Sequence, residues 1–180
     1  FLICTDLNRN GVYLYDFTNS PLTLSNRKIY SKPSVTDNGQ EIFYVGDNKR
    51  LYQIFYDSTI QKFIDFEIDD NPIYRNVTVS KDGRLLAILY NTEENKIHVY
   101  DFVTEVYKTF TIYNPTSSGG ATFDVLYADQ MDFDLSGQYL MYDALSVISG
   151  SGIEYWDIAF LRAFDNAENN FDDGYISKLI

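Results

Sequence analysis

One pattern recurs along this chain and limits what it can fold into. Four segments end in an aromatic residue followed by Asp: Val12-Tyr13-Leu14-Tyr15-Asp16, Gln53-Ile54-Phe55-Tyr56-Asp57, Ile97-His98-Val99-Tyr100-Asp101 and Ile153-Glu154-Tyr155-Trp156-Asp157. Their aromatic positions 15, 56, 100 and 156 lie 41, 44 and 56 apart. Ahead of the last three stands a polar turn ending in Gly, followed by an apolar stretch. The turns are Thr36-Asp37-Asn38-Gly39, Ser80-Lys81-Asp82-Gly83 and Asp134-Leu135-Ser136-Gly137, with glycines 44 and 54 apart. A unit of about 40–45 residues with several short strands is the mark of a propeller blade. Each blade is a four-stranded antiparallel sheet that stacks on its neighbours to bury both faces.

The pattern predicts an all-β chain, residues 1–180, forming a single β-propeller domain or a fragment of one. About four blades are expected: an incomplete one near 1–30 without its innermost strand, then 33–68, 74–113 and 128–180. Strands are expected near 1–5, 11–17 and 22–30, then 33–36, 40–45, 50–56 and 61–67. The third blade should use 74–79, 84–90, 96–102 and 106–113, and the fourth 128–133, 138–144, 153–163 and 175–179. Gly in each turn supplies the positive φ of a tight connection. The longer spacing before Trp156 predicts insertions in or before the fourth blade. Residues 114–120 and 149–152 have loop composition. Residues 161–170 are readable either as a turn or two of helix or as a strand running into a loop.

Composition agrees with strands. The 16 Tyr and 13 Phe suit pleated, half-buried surfaces. A hydrophobic content of 45% is enough for a core. The net charge of -12 argues against binding a phosphate backbone or a polybasic membrane anchor. No apolar run approaches the roughly 20 residues of a helical membrane span. The single cysteine, Cys4, rules out an intrachain disulfide and a cysteine-cluster zinc site, and its apolar run predicts a buried strand thiol. The chain starts on Phe1 and shows no signal-peptide pattern, so the expectation is a piece of a longer polypeptide.

These motifs resemble the bacterial TolB-like (WD-like) propeller repeats. Ser80-Lys81-Asp82-Gly83-Arg84-Leu85-Leu86-Ala87 is similar to the first half of the family's blade, with Lys81 where Pro is usual. Thr5-Asp6-Leu7-Asn8-Arg9-Asn10-Gly11 and the strand ending in Tyr15-Asp16 are similar to the second half. The fourth blade, residues 131–143, is similar too, with Leu135 and Ser136 where Pro and Asp usually lie. The resemblance implies a propeller, a non-enzymatic binding module within a larger bacterial envelope or secreted protein, and a periplasmic or extracellular location. A propeller with open ends exposes edge strands and apolar faces. Missing blades or a second copy are therefore expected to cover them.

Chemistry is sparse. A nucleophilic triad needs a histidine base, and the one histidine, His98, lies inside an expected strand. No Gly-Xaa-Ser-Xaa-Gly elbow is present. The adjacent acids Asp69-Asp70, Glu93-Glu94 and Asp172-Asp173 are available for acid/base work but suit solvated loops. No catalytic residue is assigned. Calcium is the one cofactor considered: Asp6, Asn8 and Asn10 place oxygens at alternate positions before Gly11, as in the opening of a calcium loop. A polar hairpin turn explains the same residues. Phe17 stands where the loop's bidentate Glu would be. Residues 165–174 form a second oxygen-rich stretch.

In a propeller, the loops joining outer strand to next inner strand share a face with those joining second and third strands. That face would carry Asp6, Asp47, Asp69, Asp70, Glu93 and Glu94. It is the expected partner face, acidic and suited to a cationic partner or divalent ions. Trp156 stands at the position where other blades carry Tyr, which predicts packing between blades. Two rival functions remain. One is the gating propeller of a prolyl-oligopeptidase-like hydrolase whose catalytic domain lies outside this chain. The other is a sugar-binding or sugar-cleaving propeller using Tyr155, Trp156 and the aromatics from Tyr13 to Tyr15.

Overall fold

The computed structural model describes residues 2–4, 12–15, 22–25, 31–46, 50–55, 61–64, 73–91, 95–114, 123–124, 128–147 and 152–178. Among them there is no helix, and so none long and apolar enough to cross a membrane.

The strands follow the repeat. The first sheet has three, β1 (Leu2–Cys4), β2 (Val12–Tyr15) and β3 (Leu22–Ser25), paired in that order. The second sheet is β4 (Ser34–Val35), β5 (Glu41–Val45), β6 (Leu51–Phe55) and β7 (Gln61–Ile64). The third is β8 (Ile73–Val79), β9 (Leu85–Asn91), β10 (Asn95–Asp101) and β11 (Val106–Thr111). A two-stranded hairpin follows, β12 (Tyr113–Asn114) with β13 (Phe123–Asp124). The fourth sheet is β14 (Met131–Phe133), β15 (Tyr139–Val147) and β16 (Glu154–Arg162), completed by β19 (Ile176–Lys178). Between β16 and β19 the chain makes a further hairpin, β17 (Phe164–Asp165) with β18 (Asn170–Phe171). All pairing is antiparallel, so consecutive strands need only short turns.

The turn joining the first and second strands of a blade is built three times from the same parts. The amides of Gly39, Gly83 and Gly137 donate to the carbonyls of Thr36, Ser80 and Asp134. The three glycines have φ of 71°, 78° and 72°, a region that side chains rarely adopt. A side-chain bond bridges each turn. Thr36 Oγ1 donates to Asn38 Oδ1 at 2.7 Å and Ser80 Oγ to Asp82 Oδ1 at 2.6 Å. In the fourth blade acid and hydroxyl exchange places: Ser136 Oγ donates back to Asp134 Oδ2 at 2.6 Å. The exchange preserves the turn although Ser136 stands where an acid is usual. Burial pushes the Asp134 carboxyl up, but the Ser136 hydroxyl and the amides of Tyr139, Ser136 and Gln138 outweigh this and hold it below its usual value.

The turn glycine sets which way each side chain of the second strand points. Side chains three and five residues after it, Ile42 and Tyr44, Leu86 and Ile88, Leu140 and Tyr142, pack toward the preceding blade. The alternate ones, Phe43 and Val45, then Leu85, Ala87 and Leu89, pack toward the following blade. A strand buried on both faces needs no polar alternation. Two larger cores result, one between blades two and three and one between blades three and four. A smaller one joins blade two to Ile3 of the first sheet.

One open reading is resolved and one expectation is corrected. Residues 161–170 form no helix: β16 runs to Arg162 and the β17–β18 hairpin follows. The aromatic–Asp motif of the fourth blade is out of register with that of the third. Asp101 pairs with Leu85, two residues after the turn glycine, and its counterpart is Arg162, paired with Tyr139. Trp156 pairs with Leu145 near the far end of two nine-residue strands, points away from the core and is 54% exposed. The extended strands of the fourth blade carry Trp156 past the packing position that Tyr100 and Leu161 share.

Candidate funnel at the inner strands

The innermost strands β4, β8 and β14 lie side by side and wall a cavity of about 470 Å³. Its floor comes from one repeat position. Ser34, Thr78 and Asp132 each stand five residues before a turn glycine. Ser34 Oγ accepts from the Val79 amide at 3.0 Å, and Thr78 Oγ1 donates to Asp132 Oδ1 at 2.8 Å. Short polar side chains thus tie each inner strand to the next. Asn76 also crosses between blades, its side-chain amide donating to the Asp129 carbonyl at 2.9 Å.

The mouth of the cavity comes from the first-to-second-strand turns. Position two before the glycine supplies Asp37, Lys81 and Leu135. The Asp37 amide donates to the Lys81 carbonyl at 3.0 Å, and Lys81 Nζ lies 3.8 Å from Asp37 Oδ1. Both side chains are more than half exposed, so this pair contributes little stability and is free to re-pair with a ligand. Leu135, 84% exposed, adds an apolar rim beside them. The funnel therefore offers three carboxylates (Asp37, Asp132 and Asp134), two lysines (Lys32 and Lys81), hydroxyls and apolar surface on a rigid sheet framework. Among its described lining residues there is no histidine or cysteine. His98 lies in β10, buried, with Nδ1 3.0 Å from Thr109 Oγ1 and its ring 4.4 Å from that of Tyr107.

Beside the mouth, a second polar cluster locks blade three. Arg84 donates through Nε and Nη2 to the two oxygens of Asp101, at 3.1 and 2.7 Å. Asp101 also accepts from the Val103 amide at 2.9 Å and the Thr104 hydroxyl at 3.0 Å. The Arg84 guanidinium lies 4.6 Å over the Phe164 ring and bonds Asn169, so the inserted hairpin is fastened onto blade three.

Asp6, Asn8, Asn10, Asp47, Asp69, Asp70, Glu93 and Glu94 all lie outside the described residues. The oxygen-rich stretch 165–174 is described, and two of its acids, Asp165 and Asp172, are bonded within the chain. Asp165 accepts from the Ala167 and Glu168 amides and from Arg162. Asp172 pairs with Arg162 Nε at 3.2 Å, and Asp173 lies 4.0 Å from Lys108. No cluster of three metal-ligating side chains occurs among the described residues.

No family model and no curated protein matches the chain. Solved structures do. TolB from Acinetobacter baumannii is 15% identical, with a TM-score of 0.64 over 98% of this chain and 39% of its own. A putative TolB from Agrobacterium tumefaciens is 13% identical, with a TM-score of 0.59 over 97% of this chain and 58% of its own. The β-propeller domain of the Trilobed protease from Pyrococcus furiosus is 16% identical, with a TM-score of 0.54 over 99% of this chain and 52% of its own. At such identities the likeness is one of fold, and the fold is that of a TolB-like β-propeller. The chain spans about two fifths to three fifths of the propellers it matches.

Proposed function

We propose that this chain is a non-enzymatic propeller module that binds a protein or another ligand, within a larger bacterial envelope or secreted protein. The observation that carries the reading is the funnel. Three inner strands, tied through Ser34, Thr78 and Asp132, present a preformed cavity with polar groups converging on it. Such a cavity on a rigid scaffold is where ligands bind by default. An extended peptide suits it best, because the mouth pairs one exposed cation with one exposed anion beside the apolar Leu135. The envelope setting rests on the resemblance to TolB-like repeats. Asp47, Asp69, Asp70, Glu93 and Glu94, outside the described residues, are a second candidate face for a cationic partner.

Selection of short peptides on the protein, followed by amide chemical-shift mapping, tests this. Binders should shift Thr78, Lys81 and Leu135 signals and lose most of their affinity in Val35→Trp, which puts a bulky ring at a lining position that is 40% exposed. Binders that leave these residues unmoved would refute the site. The likeness to a protease propeller favours a second reading, the gating portion of a hydrolase whose catalytic domain lies outside this chain. A fluorophosphonate, which labels an activated serine, decides between them. Labelling of the natural polypeptide supports the hydrolase; its absence, with peptide binding intact, supports the binding module.

A further inference from the structure

Blade four holds its funnel turn differently from blade two. In blade two the Asp37 amide donates to the Lys81 carbonyl at 3.0 Å, which ties one turn to the next around the mouth. Among the described residues the matching bond, from the Lys81 amide to the Leu135 carbonyl, is not made. The Leu135 turn is tied by a different element: Asn166 Nδ2 donates to the Ser136 carbonyl at 2.8 Å. Ser136 in turn bonds Asp134 through its amide and its hydroxyl, so this contact acts on the whole turn that carries Leu135.

Asn166 belongs to the β17–β18 hairpin, which has no counterpart in blade three. There the chain passes from β10 to β11 through residues 102–105, whereas in blade four residues 163–175 separate β16 from β19. The base of the hairpin is part of the core. Phe164 is fully buried, its ring 5.7 Å from that of Phe171, and the Ala163 and Phe164 amides both donate to the Gln138 carbonyl, at 2.8 and 3.2 Å. The outer part, from Asn166 to Asn170, is exposed and makes polar contacts in two directions. Asn166 reaches the funnel turn, and Asn169 accepts from Arg84 on blade three. Asn169 has φ 57°, a left-handed conformation that Asn adopts more readily than most residues.

We infer that the β17–β18 hairpin positions the funnel rim. Asn166 fixes the Leu135 turn, and the bond from Arg84 to Asn169 fixes the part of the hairpin that carries Asn166. Both are positioning residues for the peptide that the funnel takes, so this role rests on the proposed binding site. A peptide leaving the cavity over Leu135 meets a preset apolar rim and does not have to order one, which lowers the cost of binding.

Amide hydrogen exchange, read by NMR without any ligand, reports on the rim directly. Asn166→Ala should speed exchange at Ser136 and Gly137 about two- to fivefold, the weight of one exposed hydrogen bond. The Gly83 amide, which makes the same turn in blade three, should be unchanged and serves as the reference. Asn169→Gly keeps the positive φ and removes the bond from Arg84. It should speed the same two amides although its side chain makes no bond to that turn. A peptide selected on the protein that maps to Thr78 and Lys81 should bind both variants about two- to fivefold more weakly. Unchanged exchange at Ser136 and Gly137 in either variant would overturn the inference, and so would faster exchange with equal peptide affinity. Peptides that shift none of the funnel residues would overturn the funnel as the binding site, and this role with it.

Discussion

Removing the Asp101 carboxylate isolates the most consequential polar cluster of blade three. The side chain of Asp101 is 2% exposed and that of Arg84 is 21% exposed. Asp101→Ala leaves Arg84 without its bidentate partner and strips acceptors from Val103 and Thr104. Breaking a buried pair costs about 3–5 kcal/mol, and the lower end applies because Arg84 can turn its guanidinium toward solvent. An unfolding loss of about 3 kcal/mol corresponds to a fall in Tm of roughly 6–12 °C for a chain of this size. Urea denaturation at neutral pH reads it directly. Asp101→Ala with Arg84→Met removes the orphaned cation and should recover part of the loss. The pH dependence has a defined sign. Burial pushes the Asp101 carboxyl up, but Arg84, the Val103 amide and the Thr104 hydroxyl pull it below its usual value. Its stabilisation is thus complete above the ordinary carboxylate range and fades as pH falls through the lower folded value. A loss below about 0.5 kcal/mol, the scale of a surface ion pair, would refute the reasoning.

Three more outcomes are expected. Burial lowers His98 to about 4, so the unfolded chain takes up a proton that the folded chain refuses. Stability should therefore fall by up to about 3 kcal/mol from pH 6.5 to 4, and His98→Gln should flatten that slope; identical slopes would disprove it. Gly174 has φ 89°, and a Cβ there would lie 2.6 Å from Phe110 Cδ1, whereas a Cβ on Gly39 at φ 71° meets nothing. Gly174→Ala should cost about 2–4 kcal/mol and Gly39→Ala about 1 kcal/mol, and equal urea midpoints would contradict this. If Asp6, Asn8 and Asn10 hold calcium, millimolar calcium should raise Tm and Asp6→Ala should abolish the rise; an unshifted Tm in the unsubstituted chain removes the site.

The fold was legible because its determinants are local and repeated. A polar turn ending in Gly announces each second strand, and the structure places Gly39, Gly83 and Gly137 at positive φ as that reading requires. The register of the fourth blade was not legible from the aromatic–Asp motif. Two residues cannot fix a register when β15 and β16 run nine residues each and a slip moves the motif along the strand. Counting from Gly137 instead finds Leu140 and Tyr142 as core and leaves Met141 outside. The funnel was missed for a related reason. Ser34, Thr78 and Asp132 look unremarkable one at a time, and only tertiary stacking brings residues 45 and 54 apart into hydrogen-bonding contact. Their shared offset of five residues before each glycine was nevertheless readable in the sequence. Charge patterning pointed instead to Asp47, Asp69, Asp70, Glu93 and Glu94, because adjacent acids stand out in a sequence while the funnel mixes acids with lysines.

The account stands or falls on inner strands that pack side by side in repeat register. Thr78→Cys with Asp132→Cys, in a Cys4→Ser background, measures this directly, because the native side chains meet at 2.8 Å. Mild oxidation should give one intramolecular disulfide with near-native circular dichroism, and Thr78→Cys with Glu154→Cys should give none. Free thiols in the first variant, or equal cross-linking in both, would contradict the stacked-blade arrangement and the funnel built on it.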